Sequence, residues 1–275
     1  MPVESGLLIL DKPAGPTSRE VVEQVKKLLG VKSAGHVGTL DPGATGVLPI
    51  LLGRATRVAP ALERLDKEYI AIVHLHRSVS EDELNTTLEK FIGTIKQIPP
   101  VKSAVVRRER ERRVYSIDVL SREGNDVRLR VVCEAGTYVR KLASDIGNEI
   151  GGAHLKGLRR TRSGPFGEKD CHSMDELQNA SGVNSPPGQT MVLPVERAVA
   201  HIPNITVKDS SIPAVMHGSP ISTSGIVKVS GGMQKGEIVA ILSVEGELLA
   251  LGYAVAEDLT RQNVIVVQID RVVKA

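Results

Sequence analysis

Hydrophobic positions along the chain change period in an ordered way. Gly6 to Leu10 is almost continuously apolar, the pattern of a buried strand, and it runs into Asp11-Lys12-Pro13-Ala14-Gly15-Pro16, a turn built from residues that fix or free φ. Thr17 and Glu20 have capping-box spacing, and Val21, Val22, Val25, Leu28 and Leu29 follow on one helical face until Gly30. An apolar stretch from Val47 to Leu52 and a strand from Tyr69 to Leu75 come next. Ser80 and Glu83 form a second capping box, with Leu84, Leu88, Phe91 and Ile92 on one face and Gly93 as the stop. Val114–Leu120 and Asp126–Cys133 flank Gly124-Asn125 and predict a hairpin, after which Val139, Leu142, Ala143, Ile146 and Ile150 fit a helix opening at Tyr138 and Arg140. Strands and helices joined partly by hairpins place this part in the α+β class, with a mixed, largely antiparallel sheet and flanking helices.

The pattern changes near residue 180. Asn179 to Gln189 carries two adjacent prolines and no apolar periodicity, so residues 179–200 read as a linker between a domain over 1–178 and a module over 201–275. In that module short apolar segments at Ile226–Val229, Ile238–Leu242, Leu248–Leu251 and Val264–Ile269 alternate with glycine-marked turns, which predicts a small β-barrel-like fold.

At 275 residues and 41% hydrophobic content the chain can bury a substantial core. No apolar run reaches the ~18 residues of a membrane span, and the start lacks the basic flank and cleavage site of a signal peptide, so the cytoplasm is the expected location and no membrane partner is expected. The two cysteines make no disulfide framework, and Cys171-His172 lacks two further zinc ligands, so no structural metal is expected. The net charge of +3 is concentrated: Arg107 to Arg113 holds five arginines against two glutamates. Arg159, Arg160 and Arg162 form a second cluster, and Arg128 and Arg130 alternate with apolar residues. Clustered arginine on an otherwise neutral chain suits a polyanion, although a charge run is also how a solvated face looks. Tryptophan is absent and only four tyrosines occur, of which Tyr69, Tyr115 and Tyr138 fall beside charge or glycine, where a nucleic-acid base stacks. His217 reads as a structural turn residue, and His74 and His76 carry no functional signal.

The richest stretch for chemistry is Gly35 to Gly46, GHVGTLDPGATG, with one acid, Asp41, among four glycines and a proline. Such a backbone allows positive φ and close approach of a ligand and fixes the carboxylate, although an ordinary Asp-Pro turn has the same composition.

Five segments in order, DKPAGPTS (Asp11–Ser18), GHVGTLDPGATGVLP (Gly35–Pro49), KEY (Lys67–Tyr69), AGTYVRKLASDIG (Ala135–Gly147) and LRRTRSGPF (Leu158–Phe166), resemble the TruB family of pseudouridine synthases. The tail resembles a PUA domain, an RNA-binding module. Pro99–Arg108 and the RTRSGPF ending look most like the archaeal, dyskerin-type members, the catalytic subunits of H/ACA ribonucleoproteins. The resemblance implies the pseudouridine synthase fold and an isomerase that needs no cofactor and no metal. It implies Asp41 as the catalytic carboxylate, acting as nucleophile or as base, Arg140 as its ionic partner, and Tyr69 stacked on the flipped uracil, with Tyr138 and Leu158 lining the pocket and His36 near the nucleotide. Lys12 and the arginines Arg107, Arg108, Arg110, Arg159 and Arg160 are expected on the RNA backbone. Few residues separate Tyr69 from Pro99, which leaves no room for the long insertion by which bacterial members clasp tRNA. The resemblance therefore implies a guide RNA, target rRNA or tRNA, and small Nop-type, Gar-type and kink-turn-binding partner proteins. The alternatives are guide-independent modification of the tRNA T-loop and a non-catalytic RNA-binding assembly factor, against which the intact pair Asp41 and Arg140 argues.

Overall fold

The structure, a computed structural model, describes residues 5–99, 106–180, 191–256 and 263–274. The first apolar run forms β1 (Ser5–Lys12), and the predicted capping box starts α1 (Ser18–Leu29): the Thr17 hydroxyl accepts from the Glu20 amide at 3.1 Å, and the Glu20 carboxylate accepts from the Thr17 amide at 2.7 Å. Then follow β2 (Ala34–His36), β3 (Ala44–Gly53), α2 (Ala59–Glu63), β4 (Lys67–Leu75), α3 (Glu81–Glu89) and β5 (Gly93–Gln97). The predicted hairpin is β6 (Arg110–Glu123) and β7 (Asp126–Cys133), followed by α4 (Val139–Glu149), β8 (Ala153–Ser163), β9 (Phe166–Gly167) and α5 (Met174–Ala180). These strands form one sheet in the order β1-β3-β8-β4-β7-β6-β5, with β2 on β3 and β9 on β8. Pairing is antiparallel except between β3 and β8.

β1 from Gly6 to Leu10 and β3 from Val47 to Leu52 are continuously apolar because both of their faces are covered. Leu8, Leu10, Leu48, Ile50 and Leu52 point into a core with α1, α4 and the inner face of β4 and β7, while Leu7, Ile9, Val47 and Leu51 point into a second core. β4 has only one buried face, so Tyr69, Ala71, Val73 and Leu75 are buried in alternation.

β8 is a strand that periodicity does not predict. Its sequence AHLKGLRRTRS has no apolar alternation, yet it lies between β3 and β4 and pairs with both. Sheet pairing overrides local composition there.

The C-terminal module holds β10 (Asn204–Val207), α6 (Ile212–Met216), β11 (Ile221–Ser222), β12 (Ile226–Ser230), β13 (Ile238–Leu242), β14 (Leu248–Ala254) and β15 (Ile265–Val272). They form a second sheet in the order β11-β15-β14-β13-β10-β12. The four predicted segments match β12 to β15, and His217 closes the turn after α6 with Nδ1 2.7 Å from the Pro213 carbonyl oxygen.

The expected linker is only partly one. Residues 181–190 lie outside the described residues, but Asn179 and Ala180 finish α5, and residues 191–200 pack on the large sheet. Leu193 exchanges backbone hydrogen bonds with Leu7 at 2.7 and 2.9 Å, and Ala198 and Val199 enter the second core. Gly6 makes that approach possible, since a Cβ there would sit 2.3 Å from Val192 Cγ1. The second core is completed by Ala240, Leu248, Leu251 and Val273 of the C-terminal module, so the two units share one apolar interior.

Leu251→Ala is therefore expected to destabilise the whole chain by about 2–5 kcal/mol, seen in calorimetry as one transition moved to lower temperature. Two separate transitions, with only one displaced, would contradict a shared interior.

Candidate active site

Asp41 stands on the loop of residues 37–43 between β2 and β3, and that loop is anchored through backbone groups of Val37, Gly38, Leu40, Asp41 and Pro42. The Val37 amide donates to the Pro49 carbonyl at 2.9 Å, and the Ala44 amide closes a turn onto the Asp41 carbonyl at 3.0 Å. Ser18, the first residue of α1, holds Leu40 from both sides: its hydroxyl donates to the Leu40 carbonyl at 2.8 Å and accepts from the Leu40 amide at 2.9 Å. The Pro42 carbonyl accepts from the Gly15 amide at 2.9 Å and from Lys12 Nζ at 3.3 Å, and Lys12 Nζ also donates to the carbonyls of Ala44 (2.9 Å) and Pro13 (2.8 Å). Arg160 donates from Nη2 to the Gly38 carbonyl at 2.8 Å and from Nε to the Val47 carbonyl at 2.7 Å.

The carboxylate itself points outward. Asp41 Oδ2 lies 2.6 Å from Arg140 Nη2, with the two side chains 52% and 59% exposed. A pair that exposed contributes at most about 1 kcal/mol to stability. Its effect is to orient the carboxylate. Arg140 lies in the first turn of α4, whose start is held by Gln97, a buried side chain at the end of β5. The Gln97 carboxamide oxygen accepts from the Tyr138 amide at 3.0 Å, and its nitrogen donates to the Tyr138 carbonyl at 3.2 Å. Residue type alone does not single out Gln97; the only cue is a polar residue at the end of a short strand.

Beneath this pair, Tyr69 is 8% exposed on β4 and Leu158 is half-buried on β8, in register with Ala44 of β3 and Ala71 of β4. Tyr138 is half-buried at the head of α4 and His36 half-buried on β2. The structure brings Asp41 against Arg140, places Tyr138 two residues earlier at the head of α4, and puts Tyr69 and Leu158 on the adjacent strands β4 and β8, whereas His36 pairs with Ile50, six residues along β3 from Ala44. Burial raises the Tyr69 phenol above its ordinary pKa, an effect opposed by Arg160. Burial and the Arg160 charge lower the His36 imidazole, whose buried Nδ1 has no hydrogen-bond partner.

The expected phosphate contacts divide. Arg107 and Arg108 are exposed before β6, whereas Arg110 is half-buried and donates to the Val106 carbonyl at 3.3 Å. Residues 100–105 of the Pro99–Arg108 segment lie outside the described residues. Two expectations are corrected. Lys12 and Arg160 have relative exposures of 0% and 1% and spend their donors on loop and strand carbonyls, so they brace the active-site loop instead of meeting RNA. A loop leaving a sheet strands its carbonyls, and long cationic side chains supply the missing donors. Arg159 is also engaged, with both Nη atoms 2.9 Å from Asp11 and Nε 2.6 Å from Glu168. Its charge is matched by two carboxylates, leaving little for a phosphate.

Among the described residues no cluster of three or more His, Cys, Asp or Glu has metal-binding geometry, and no helix is long and apolar enough to cross a membrane. A groove of about 970 Å³ lined by Lys32, Arg54, Arg57 and Lys274 opens at the far end of β3 and holds none of these site residues.

Comparison with known proteins agrees with this geometry. Residues 26–139 match the N-terminal domain of TruB family pseudouridylate synthases, 140–200 the C-terminal domain of tRNA pseudouridylate synthase B, and 203–272 the PUA domain. A probable tRNA pseudouridine synthase B of Methanopyrus kandleri is 46% identical over 92% of this chain and 77% of its own length. A protein of the same name from Thermococcus kodakarensis is 46% identical over 99% of this chain and 83% of its own. Among solved structures, a Cbf5-Nop10-Gar1 complex matches with TM-score 0.91 and 44% identity, over all of this chain and 86% of that one. An H/ACA RNP bound to a substrate RNA containing 2'-deoxyuridine matches with TM-score 0.89 and 42% identity, over 98% and 85%. Fold and site together define an RNA-modifying isomerase, a pseudouridine synthase carrying a PUA domain. The chain belongs to the TruB family.

Lys12→Met is expected to lower turnover about 100-fold, the scale of a displaced catalytic group, while the salt dependence of RNA binding keeps its slope because no phosphate contact is lost. A flatter slope in filter binding would return Lys12 to the RNA interface.

Lys67, buried on β4 with Nζ 2.6 Å from the Leu65 carbonyl, is lowered from 10.5 to about 8, chiefly by burial, with Arg160 and Arg162 lowering it further and Asp66 and Cys133 opposing. Between pH 8 and 10.5 the unfolded chain holds this proton and the folded chain does not, so stability gains from Lys67 as pH rises. Relative to Lys67→Met, the wild-type chain is expected to gain up to about 3 kcal/mol across that window in urea titrations. A constant difference between the two would refute it.

Proposed function

We propose that Asp41 is the carboxylate that carries out the isomerisation, that Arg140 orients it, and that the enzyme works on uridines selected by a guide RNA within a ribonucleoprotein. In the reaction the bond from C1′ to N1 breaks, uracil turns, a bond from C1′ to C5 forms, and the C5 proton leaves while N1 regains one. Atoms and electrons balance within the nucleoside. The carboxylate enters either as a nucleophile at the sugar or as a base on the adjacent ribose carbon. Because uridine must leave its stack to meet Asp41, the site needs a receiving surface, and Tyr69, Tyr138 and Leu158 supply one. Arg107 and Arg108 are the exposed cations placed to follow a phosphate backbone.

The observation that carries this reading is the 2.6 Å contact of Asp41 with Arg140, presented to solvent from an anchored loop. Guide dependence and small Nop-type and Gar-type partners draw support from the solved relatives, a Cbf5-Nop10-Gar1 complex and an H/ACA RNP bound to a substrate RNA, and rRNA or tRNA is the proposed target. The relatives named tRNA pseudouridine synthase B favour a second reading, direct modification of tRNA without a guide. The free thiols of Cys133 and Cys171 fit a reducing compartment, the cytoplasm.

Asp41→Asn is expected to abolish pseudouridine formation while RNA affinity stays within about threefold. The measurement is conversion of tRNA by the protein alone and of a matched target with guide RNA and partner proteins. Residual turnover in the variant refutes the role of Asp41, and a wild-type rate on matched target that guide and partners never raise refutes the guided reading.

A further inference from the structure

Arg160 is an interior cation that the reaction as described does not use. It is 1% exposed, the bulkiest of the fully buried side chains, and its hydrogen bonds run to two carbonyls, not to a carboxylate. Holding a guanidinium in the interior is costly, so its location calls for a compensating gain. Three features define that location. One end of the fork grips Gly38, three residues before Asp41, and the Nε grips Val47 on β3. Arg160 is the register partner of Tyr69, which puts the two side chains next to each other on one face of the sheet, and its charge opposes the burial that raises the phenol's pKa. Finally, the backbone is pressed against its neighbour so closely that a Cβ on Gly46 would stand 2.2 Å from the Arg160 carbonyl oxygen, and Gly38 packs directly on the guanidinium.

We propose that Arg160 is a positioning residue of the isomerisation that acts through Tyr69, fixing its hydroxyl and ring relative to the Asp41 loop. One planar fork joins the two sides of the uracil site: the strand that bears Tyr69 and the loop that bears Asp41. Lysine at this position keeps the charge but not the fork, since an ammonium is a point donor without the guanidinium's fixed geometry. This inference rests on the reading of Asp41 and Tyr69 as site residues.

The test is a double-mutant cycle on conversion of 5-tritiated uridine in RNA, under the condition, free or guided, in which the wild-type protein turns over. Arg160→Met is expected to lower kcat by about 10- to 100-fold, the scale of a displaced catalytic group, with KM and RNA affinity within about twofold. Arg160→Lys is expected to recover part of that loss. In a Tyr69→Phe background, adding Arg160→Met is expected to cost at least about threefold less than it does in the wild-type protein, because the part acting through the hydroxyl is already gone and only the bracing of the Asp41 loop is left to lose. A full, additive loss in that background overturns the proposal, as does an effect confined to KM. If Arg160→Met does not fold, the same cycle is run with Arg160→Lys, and additivity there is equally decisive. Activity surviving in Asp41→Asn is a different failure, since it removes the site reading itself whatever Arg160 does.

Discussion

The site depends on one constraint: the loop that carries Asp41 must leave the sheet, yet its carbonyls and amides must still find partners. Ser18, Lys12 and Arg160, from three separate elements, provide them. The loop is thereby held at Gly38, Leu40, Pro42 and Ala44, on both sides of Asp41, which itself stays half in solvent. A carboxylate can be exposed to a large substrate and still be fixed only if the rigidity comes from the main chain. That is the arrangement here, and it explains why an ion pair of little thermodynamic value matters for geometry.

The second organising feature is the two-sided burial of β1 and β3. One face supports the helices that bring Arg140 to the site, and the other supports the C-terminal sheet. The same strands therefore fix the relation of the Asp41 loop to the PUA domain. Residues 191–200 strengthen this by adding Leu193 to the edge of β1. A segment that reads as a spacer becomes part of the wall.

Much of this was legible in the sequence. Strict apolar runs, two capping boxes and Gly124-Asn125 marked β1, α1, α3 and the β6–β7 hairpin, because those elements are decided by local periodicity and turn chemistry. The ordered motifs also drew attention to Asp41 and Arg140, which the fold places 2.6 Å apart, and to Tyr138, two residues before Arg140 at the head of α4. What stayed hidden depends on tertiary position. β8 has no apolar pattern of its own and is a strand because β3 and β4 flank it. Lys12, Arg159 and Arg160 read as surface cations because a sequence shows charge but not burial, and only the fold shows Lys12 and Arg160 turned inward and Arg159 held by Asp11 and Glu168. Gln97 gave no signal because its role lies in the backbone of a residue 41 positions away.

The shared apolar interior has a consequence for how this chain can be divided. Ala240, Leu248, Leu251 and Val273 cover Leu7, Val47 and Leu51 on the back of the large sheet. Cutting the chain after residue 200 would strip that covering and leave a sticky greasy surface beside the catalytic half. The PUA domain is thus a lid on the enzyme's own interior, not a detachable cassette, and shuffling it between proteins would require resurfacing the strands beneath.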